Sequence, residues 1–140
     1  MKKRVLFDTC VIIDALEARE PWNKDAEKLF IAVANQELEG YLTAKECADI
    51  YYLIRKYAHS ERQARIHIRA LTELFQVLDT KGAHIKDAIG SEISDYEDAI
   101  MEQTASGSGM ELLCTRNVKD YRESRVRVIS PEALIEELSQ

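Results

Sequence analysis

Four acidic side chains stand where this chain is expected to leave one element of secondary structure and enter the next: Asp8, Glu46, Asp98 and Asp120. The first, second and fourth follow short apolar runs that predict strands, and the third lies one turn into a predicted helix. Residues just past the carboxyl ends of parallel strands converge on one crevice of the sheet. Carboxylates held close together repel each other unless a hard cation such as Mg²⁺ neutralises them. The pattern therefore predicts a metal site.

Each of these acids also has a purely structural explanation. Asp8 can cap the helix that follows it, a role worth about 1 kcal/mol. Glu46 completes a capping box at the start of its own helix. Asp95 precedes Asp98 by one turn, so the two carboxylates share a helix face near a helix N-terminus, where negative charge is favourable. Asp120 can be a solvated loop residue. Placement at strand ends, and not any single residue, carries the metal-site prediction.

The elements that must position these acids alternate between strand and helix. Strands are predicted at Lys3–Phe7, Tyr41–Thr43, Gln76–Asp79, Glu111–Thr115 and Val126–Ile129. Helices are predicted from Asp8 or Thr9 to before Pro21, at about Trp22–Gln36, from the capping box Thr43–Glu46 to about Ala58, at Glu61–Phe75, at Ile85–Ile93, from a second capping box Ser94–Glu97 to about Ala105, and from Ser130 onwards. Such alternation predicts an α/β fold, a three-layer α/β/α domain with a short, mostly parallel sheet of about five strands. We expect residues 1–140 to form a single domain.

Composition narrows the class of protein. The chain has 140 residues, of which 46% are hydrophobic and 31% charged, with a net charge of −6. No apolar stretch approaches 18 residues and the first residues do not read as a signal peptide, so we expect a cytoplasmic protein without a membrane segment. Cys10, Cys47 and Cys114 are far apart and are expected to be free thiols. The negative charge argues weakly against nucleic-acid binding by bulk electrostatics alone.

Four segments carry a family resemblance: Val5–Thr9, Thr43–Glu46, Asp95–Ala99 and Leu113–Tyr121. On these segments the chain resembles the PIN-domain nucleases, and within them the VapC-type toxin ribonucleases. The resemblance implies hydrolysis of RNA phosphodiester bonds assisted by Mg²⁺ or Mn²⁺. It places Asp8, Glu46 and Asp98 at three of the acidic positions of the family's catalytic metal site, with Asp95 as a further metal ligand.

The fourth acidic position is open. Many family members have aspartate where this chain has Asn117, and others have asparagine there with a later aspartate, here Asp120. Asn117 can ligate through its carbonyl oxygen but brings no charge. We expect the two residues to share the catalytic role, with Asn117 nearer the metal and Asp120 behind it.

The resemblance also suggests substrate contacts and partners. Thr9 and Thr115 are expected to orient ligands or water, and Arg116 is expected either to contact a phosphate of the RNA substrate or to be a surface arginine. A cognate antitoxin and a homodimer are the implied protein partners. Three tyrosines of the helix after Glu46 fit such an interface: Tyr51, Tyr52 and Tyr57.

Two other readings compete with the nuclease. One is a degenerate PIN fold that binds RNA or protein without cutting, which the neutral Asn117 and the acidic net charge favour. The other is a receiver-like phosphoacceptor domain, which also gathers acids around Mg²⁺. That class requires a lysine after the fifth strand, and none follows Ile129.

Overall fold

A five-stranded sheet forms the centre of the protein in the computed structural model, which describes residues 2–140. The strands are β1 (Arg4–Phe7), β2 (Glu39–Thr43), β3 (Gln76–Leu78), β4 (Leu112–Cys114) and β5 (Arg127–Ile129). Their order in the sheet is β3-β2-β1-β4-β5, and each neighbouring pair is parallel. The predicted α/β sheet of about five strands is confirmed.

Seven α-helices cover the two faces of this sheet. They are α1 (Thr9–Leu16), α2 (Asn23–Ala34), α3 (Ala44–Ala58), α4 (Glu61–Leu74), α5 (Gly82–Ile89), α6 (Tyr96–Gly107) and α7 (Pro131–Leu138). Because successive strand residues point to opposite faces, Val5 and Phe7 join one apolar core with α1–α4 and α7, while Leu6 joins a second with α5 and α6. The three-layer arrangement is the predicted one.

The start of α3 is the predicted capping box. The hydroxyl of Thr43 accepts a hydrogen bond from the backbone N–H of Glu46 at 3.0 Å, and the Glu46 carboxylate accepts one from the backbone N–H of Thr43 at 2.7 Å. These two bonds satisfy donors that a helix N-terminus leaves without partners. Glu46 is thereby held at the carboxyl end of β2.

The start of α6 differs from the predicted one. Asp95 caps this helix, not Ser94: its Oδ1 accepts from the backbone N–H of Asp98 at 3.0 Å. The first helical residue is Tyr96, so Ser94 lies one residue too early for the cap position. The helix also continues to Gly107, two residues beyond the predicted end.

Helix α5 begins and ends earlier than predicted. It spans Gly82–Ile89 and not Ile85–Ile93. The Nδ1 atom of His84 accepts from the backbone N–H of Lys81 at 3.0 Å and so stabilises the first turn. Lys81 occupies the cap position, and lysine is not among the favoured N-cap residues, which is why the sequence pattern missed this start.

The strand order places three strand ends side by side. β1 lies between β2 and β4, so the residues after Phe7, Thr43 and Cys114 meet at one edge of the sheet. The backbone N–H of Asp8 donates to the Cys114 carbonyl at 2.9 Å, which extends the pairing of β1 and β4 to the site itself.

Two further sequence expectations concern the whole described chain. Cys10, Cys47 and Cys114 are all free thiols, as predicted. Across residues 2–140, no helix combines the length and the apolar character needed to cross a membrane.

Candidate active site

Three of the predicted acids line one cleft at the carboxyl edge of the sheet. Asp8 comes from the end of β1, Glu46 from the first turn of α3 and Asp98 from the first turn of α6. Together with residues of α3 and α6 they enclose a cavity of about 150 Å³. Side chains separated by 90 residues in the sequence therefore meet in space; the strand ends predicted the place of Asp8 and Glu46, whereas no strand directly precedes Asp98 and the sequence alone did not place it.

Asp8 is buried and its carboxylate does not serve as a helix cap. It occupies the cap position of α1, yet its side chain makes no cap hydrogen bond. Its Oδ2 atom instead accepts from the Thr115 hydroxyl at 2.7 Å and the Tyr121 hydroxyl at 3.4 Å, with the Cys10 thiol at 3.8 Å. Burial raises the pKa of Asp8, and these hydrogen bonds oppose that rise. The Asp8 carboxylate is therefore oriented by Thr115 and Tyr121 and not by the N-terminus of α1.

Glu46 serves the cap and the cleft at once. Its Oε1 accepts from the Thr43 backbone, and its Oε2 accepts from the Thr9 hydroxyl at 3.1 Å. Burial raises the pKa of Glu46 well above its usual range, and the charge of Asp8 raises it further. Because both carboxylate oxygens of Glu46 already accept hydrogen bonds, a cation bound to Glu46 would compete with the Thr43 backbone N–H or the Thr9 hydroxyl for these oxygens.

Asp98 is half-buried and feels several neighbouring negative charges. Burial, followed by the charges of Asp8 and Asp95 and then Asp120, raises its pKa from 3.8 to about 6, although a hydrogen bond from Tyr121 lowers it. The charges of these acids are therefore coupled through Asp98 in the absence of a counter-ion. A divalent cation between them would remove the repulsion.

Asp95 and Asp120 line an adjoining cavity of about 340 Å³ that shares Asp98 with the first. Both side chains are exposed. Asp95 already caps α6, and Asp120 lies in a short 3₁₀ helix at Val118–Tyr121. Both acids stand beside Asp98 rather than beside Glu46.

Asn117 contacts the site through its backbone. Its side chain is exposed and the residue lines neither of the two cavities. Its backbone N–H donates to the Thr115 hydroxyl at 3.0 Å, which orients that hydroxyl toward Asp8. Of the two candidates for the fourth acidic position, Asp120 is the one placed next to Asp98.

Arg116 is held by a buried partner. Its Nε and Nη2 atoms donate to the two carboxylate oxygens of Asp14 at 2.7 and 3.1 Å. Its guanidinium also lies 4.0 Å from the ring centre of Trp22. These contacts tie the Arg116 guanidinium to Asp14 and Trp22, and the predicted phosphate contact stays a prediction.

Two residues of the cleft were missed by the sequence reading. Lys45 is the one cation among the described residues that line the 150 Å³ cavity, and its Nζ lies 2.6 Å from Asp49 and 3.5 Å from Glu97. Tyr121 is buried, with its hydroxyl 3.1 Å from Asp98 Oδ1. Both residues are adjacent in sequence to a predicted acid, Lys45 to Glu46 and Tyr121 to Asp120. Adjacency in sequence does not determine where a side chain points, so it could not assign them to the site.

The donor chemistry of the cleft fits a hard cation. Mg²⁺ and Mn²⁺ prefer carboxylate oxygens, and Asp8, Glu46 and Asp98 supply such oxygens on three sides of one small cavity. Within residues 2–140, however, no three His, Cys, Asp or Glu side chains already stand at ligand positions around one point.

Comparison with known proteins assigns the family. The PIN domain model matches residues 4–119, which is most of the chain. The chain belongs to the PIN-domain family. PIN domains are generally nucleases, in agreement with the acidic cleft. No match was found among curated proteins.

Solved structures share the fold of this PIN domain. The toxin–antitoxin complex from Klebsiella pneumoniae has a TM-score of 0.66 at 22% identity, covering 91% of this chain and 97% of that chain. VapBC-1 from nontypeable Haemophilus influenzae has a TM-score of 0.63 at 19% identity, covering 91% and 98%. VapC20 from Mycobacterium tuberculosis, a toxin that cleaves the sarcin-ricin loop, has a TM-score of 0.62 at 12% identity, covering 78% and 86%.

Proposed function

We propose that this PIN domain is a Mg²⁺- or Mn²⁺-dependent endoribonuclease, the toxin component of a toxin–antitoxin pair. The observation that carries the proposal is the meeting of Asp8, Glu46 and Asp98 in one cleft at the strand ends. Membership of a family of nucleases supports the reaction class. VapC20, which shares the fold, is a toxin that cleaves RNA at the sarcin-ricin loop, and this supports the substrate class.

Asp8 and Asp98 would hold the cation, with Glu46 on the α3 side and Asp95 and Asp120 adding negative charge from the adjoining cavity. In such sites the divalent cation lowers the pKa of a bound water and stabilises charge on the phosphate. Thr115 and Thr9 keep the Asp8 and Glu46 carboxylates oriented through the hydrogen bonds described above. This is a positioning role, not direct binding of substrate.

Substrate contact falls to Lys45 in this proposal. Its ammonium group lies between Asp49 on α3 and Glu97 on α6, within the cavity that holds the acids. A phosphate of the RNA backbone entering the cleft can replace one of these carboxylates as its partner. Arg116 does not contact the substrate in this proposal, because its guanidinium is bound to Asp14 and packs on Trp22.

The proposed antitoxin would cover a groove next to the acids. A cavity of about 460 Å³ lies between α1 and α3 and shares Leu53 with the acidic cleft. Tyr57, which is 65% exposed, contributes an aromatic surface to it. The toxin–antitoxin complexes of the same fold support this assignment. We also propose a homodimer through α3 and α4, for which Tyr52 offers a second exposed aromatic side chain.

A non-catalytic binding module is the second candidate. The hydrogen bonds on both oxygens of Glu46 and the neutral Asn117 favour it, because each reduces the charge available to a cation. In that case the cleft would bind an RNA or a protein without hydrolysis.

A cleavage assay separates the two candidates. Purified protein with Mn²⁺ should cut single-stranded RNA, EDTA should stop the reaction, and Asp8→Asn should abolish it. The loss in Asp8→Asn excludes a contaminating nuclease. Asp87→Asn, which changes an exposed aspartate of α5 that lines neither cavity, is the matched control for removing one carboxylate and should cut at the wild-type rate. RNA binding by the wild type without any cutting would support the binding module instead.

A further inference from the structure

Tyr121 is the one described side chain that bonds to both Asp8 and Asp98. Its hydroxyl lies 3.1 Å from Asp98 Oδ1 and 3.4 Å from Asp8 Oδ2. The two acids come from different elements, the end of β1 and the start of α6. The tyrosine hydroxyl is therefore the direct link between them.

The position of this hydroxyl is rigid. The Tyr121 side chain is 1% exposed and packs in the core between the sheet and α5–α6. Its backbone carbonyl accepts from the Ser124 N–H at 2.8 Å, which holds the turn that follows. A buried, packed ring has little rotamer freedom, so its hydroxyl oxygen holds one position relative to the two carboxylates.

The hydrogen bonds engage one oxygen of each carboxylate. Thr115 donates to Oδ2 of Asp8, and the single O–H of Tyr121 is shared between that oxygen and Oδ1 of Asp98. None of these three bonds uses Asp8 Oδ1 or Asp98 Oδ2. One oxygen of each acid is thus left for a shared cation.

We propose that Tyr121 is a positioning residue of the metal site, whose hydroxyl sets the separation and orientation of the Asp8 and Asp98 carboxylates for a divalent cation. This role rests on the proposed function. Residues that hydrogen-bond to metal ligands typically change affinity or activity by about 10–100-fold when altered. Tyr121 is not itself a ligand or a catalytic group.

The test removes one oxygen atom. Tyr121→Phe keeps the ring that fills the core, and Tyr41→Phe is its matched control. Tyr41 is also buried, and its hydroxyl also donates to a carboxylate, Glu39 at 3.1 Å, but Glu39 lines neither cavity, whereas the acids bound by Tyr121 do. Melting curves in EDTA check that both variants fold.

Mn²⁺ binding is then measured by calorimetry on protein freed of metal. We expect the dissociation constant to rise about 10–100-fold in Tyr121→Phe and to change less than about twofold in Tyr41→Phe. In cleavage assays the Mn²⁺ concentration for half-maximal rate should rise by the same factor. The KM for RNA at saturating Mn²⁺ should not change, because the hydroxyl acts on the acids and not on the substrate.

Each other outcome overturns the inference, and the outcomes differ in what they say of the proposed function. Wild-type Mn²⁺ affinity in Tyr121→Phe, with wild-type cleavage intact, overturns the role of Tyr121 alone. Equal losses in both variants would show a general packing effect and overturn it too. A wild-type protein that neither binds Mn²⁺ nor cuts RNA overturns the inference together with the proposed function.

Discussion

Arg116 and Asp14 form a two-point ion pair in which the Asp14 side chain is almost fully buried while the Arg116 side chain is 23% exposed. Asp14 belongs to α1 and Arg116 follows β4, so the pair connects the helix after Asp8 to the loop after Thr115. The contact holds two walls of the candidate active site together. Through this ion pair, we expect Arg116 to contribute to the stability of the folded protein.

We therefore expect Arg116→Ala to lower the free energy of unfolding by about 2–4 kcal/mol, since it leaves Asp14 buried without its main partner. Arg19 lies 3.6 Å from the same carboxylate but is more exposed, so Arg19→Ala is the matched control and should cost much less. Urea unfolding measures both. Equal, small effects of the two substitutions would contradict the structural role of Arg116.

The acidic cleft predicts a pH dependence of stability. The pKa of Asp98 rises from 3.8 to about 6 on folding, so the folded protein binds this proton more tightly than the unfolded chain does. The stabilisation is fully present below the unfolded value and is lost as the pH rises through about 6. Asp8 and Glu46 are shifted in the same direction.

Melting temperatures measured in EDTA between about pH 4 and pH 8 check this, because that interval spans the ordinary and the raised pKa of the carboxyl group. The wild type should lose several degrees relative to Asp98→Asn, which keeps the oxygen that accepts from Tyr121 but removes the charge. Cleavage with Mn²⁺ should change in the opposite sense and rise over the same range, because the cation needs the deprotonated carboxylate. A parallel pH profile for both proteins would count against coupling of the acids.

The fourth acidic position can be resolved by two substitutions. Asp120 stands beside Asp98 and Asn117 does not, so Asp120→Asn should reduce metal-dependent cleavage by about 10–100-fold, while Asn117→Ala should leave most of it. If Asn117→Ala abolishes cleavage instead, its carbonyl oxygen is the working ligand. Full activity of the double substitution would leave Asp8, Glu46 and Asp98 as the whole set of acids.

Lys45 offers a test of how RNA enters the cleft. Hydrogen bonding and charge from Asp49 and Glu97 outweigh partial burial and raise the pKa of Lys45, so it remains a cation. Lys45→Met should raise the KM for RNA about tenfold or more, the value of one charge-assisted hydrogen bond. Lys24→Met on α2 is the control and should have no effect. Faster cleavage by Lys45→Met would show that the lysine obstructs the cleft.

The fold could be predicted from local patterns because they agree with each other. The apolar run ending at Phe7, the capping box at Thr43 and the proline at the start of α7 each mark an element boundary by short-range chemistry. The approach of Asp8 and Glu46 followed from that arrangement, whereas the place of Asp98, which no strand directly precedes, did not. The errors lay at boundaries such as Ser94, where two neighbouring residues can both cap a helix and only the register of the helix decides.

The hydrogen bonds of the site could not be predicted in the same way. The sequence is consistent with a core position for the Tyr121 ring, and the ring does lie in the core. The contacts of its hydroxyl with two carboxylates depend on the packing of the 3₁₀ helix against α6, which the sequence pattern does not give. Likewise Arg116 and Asp14 lie 102 residues apart, and no local pattern pairs them. Side-chain direction is a property of tertiary structure.

The pairing of β1 with β4 has a consequence for the order of events during synthesis. Asp8 precedes Thr115 by 107 residues and Tyr121 by 113, so it leaves the ribosome well before both of these partners. Such long-range contacts form late, because a large loop must close first. A nascent chain that ends before Thr115 lacks the groups that orient Asp8 and Asp98. The hydrogen-bonded cleft therefore cannot assemble on the ribosome before Tyr121 has emerged.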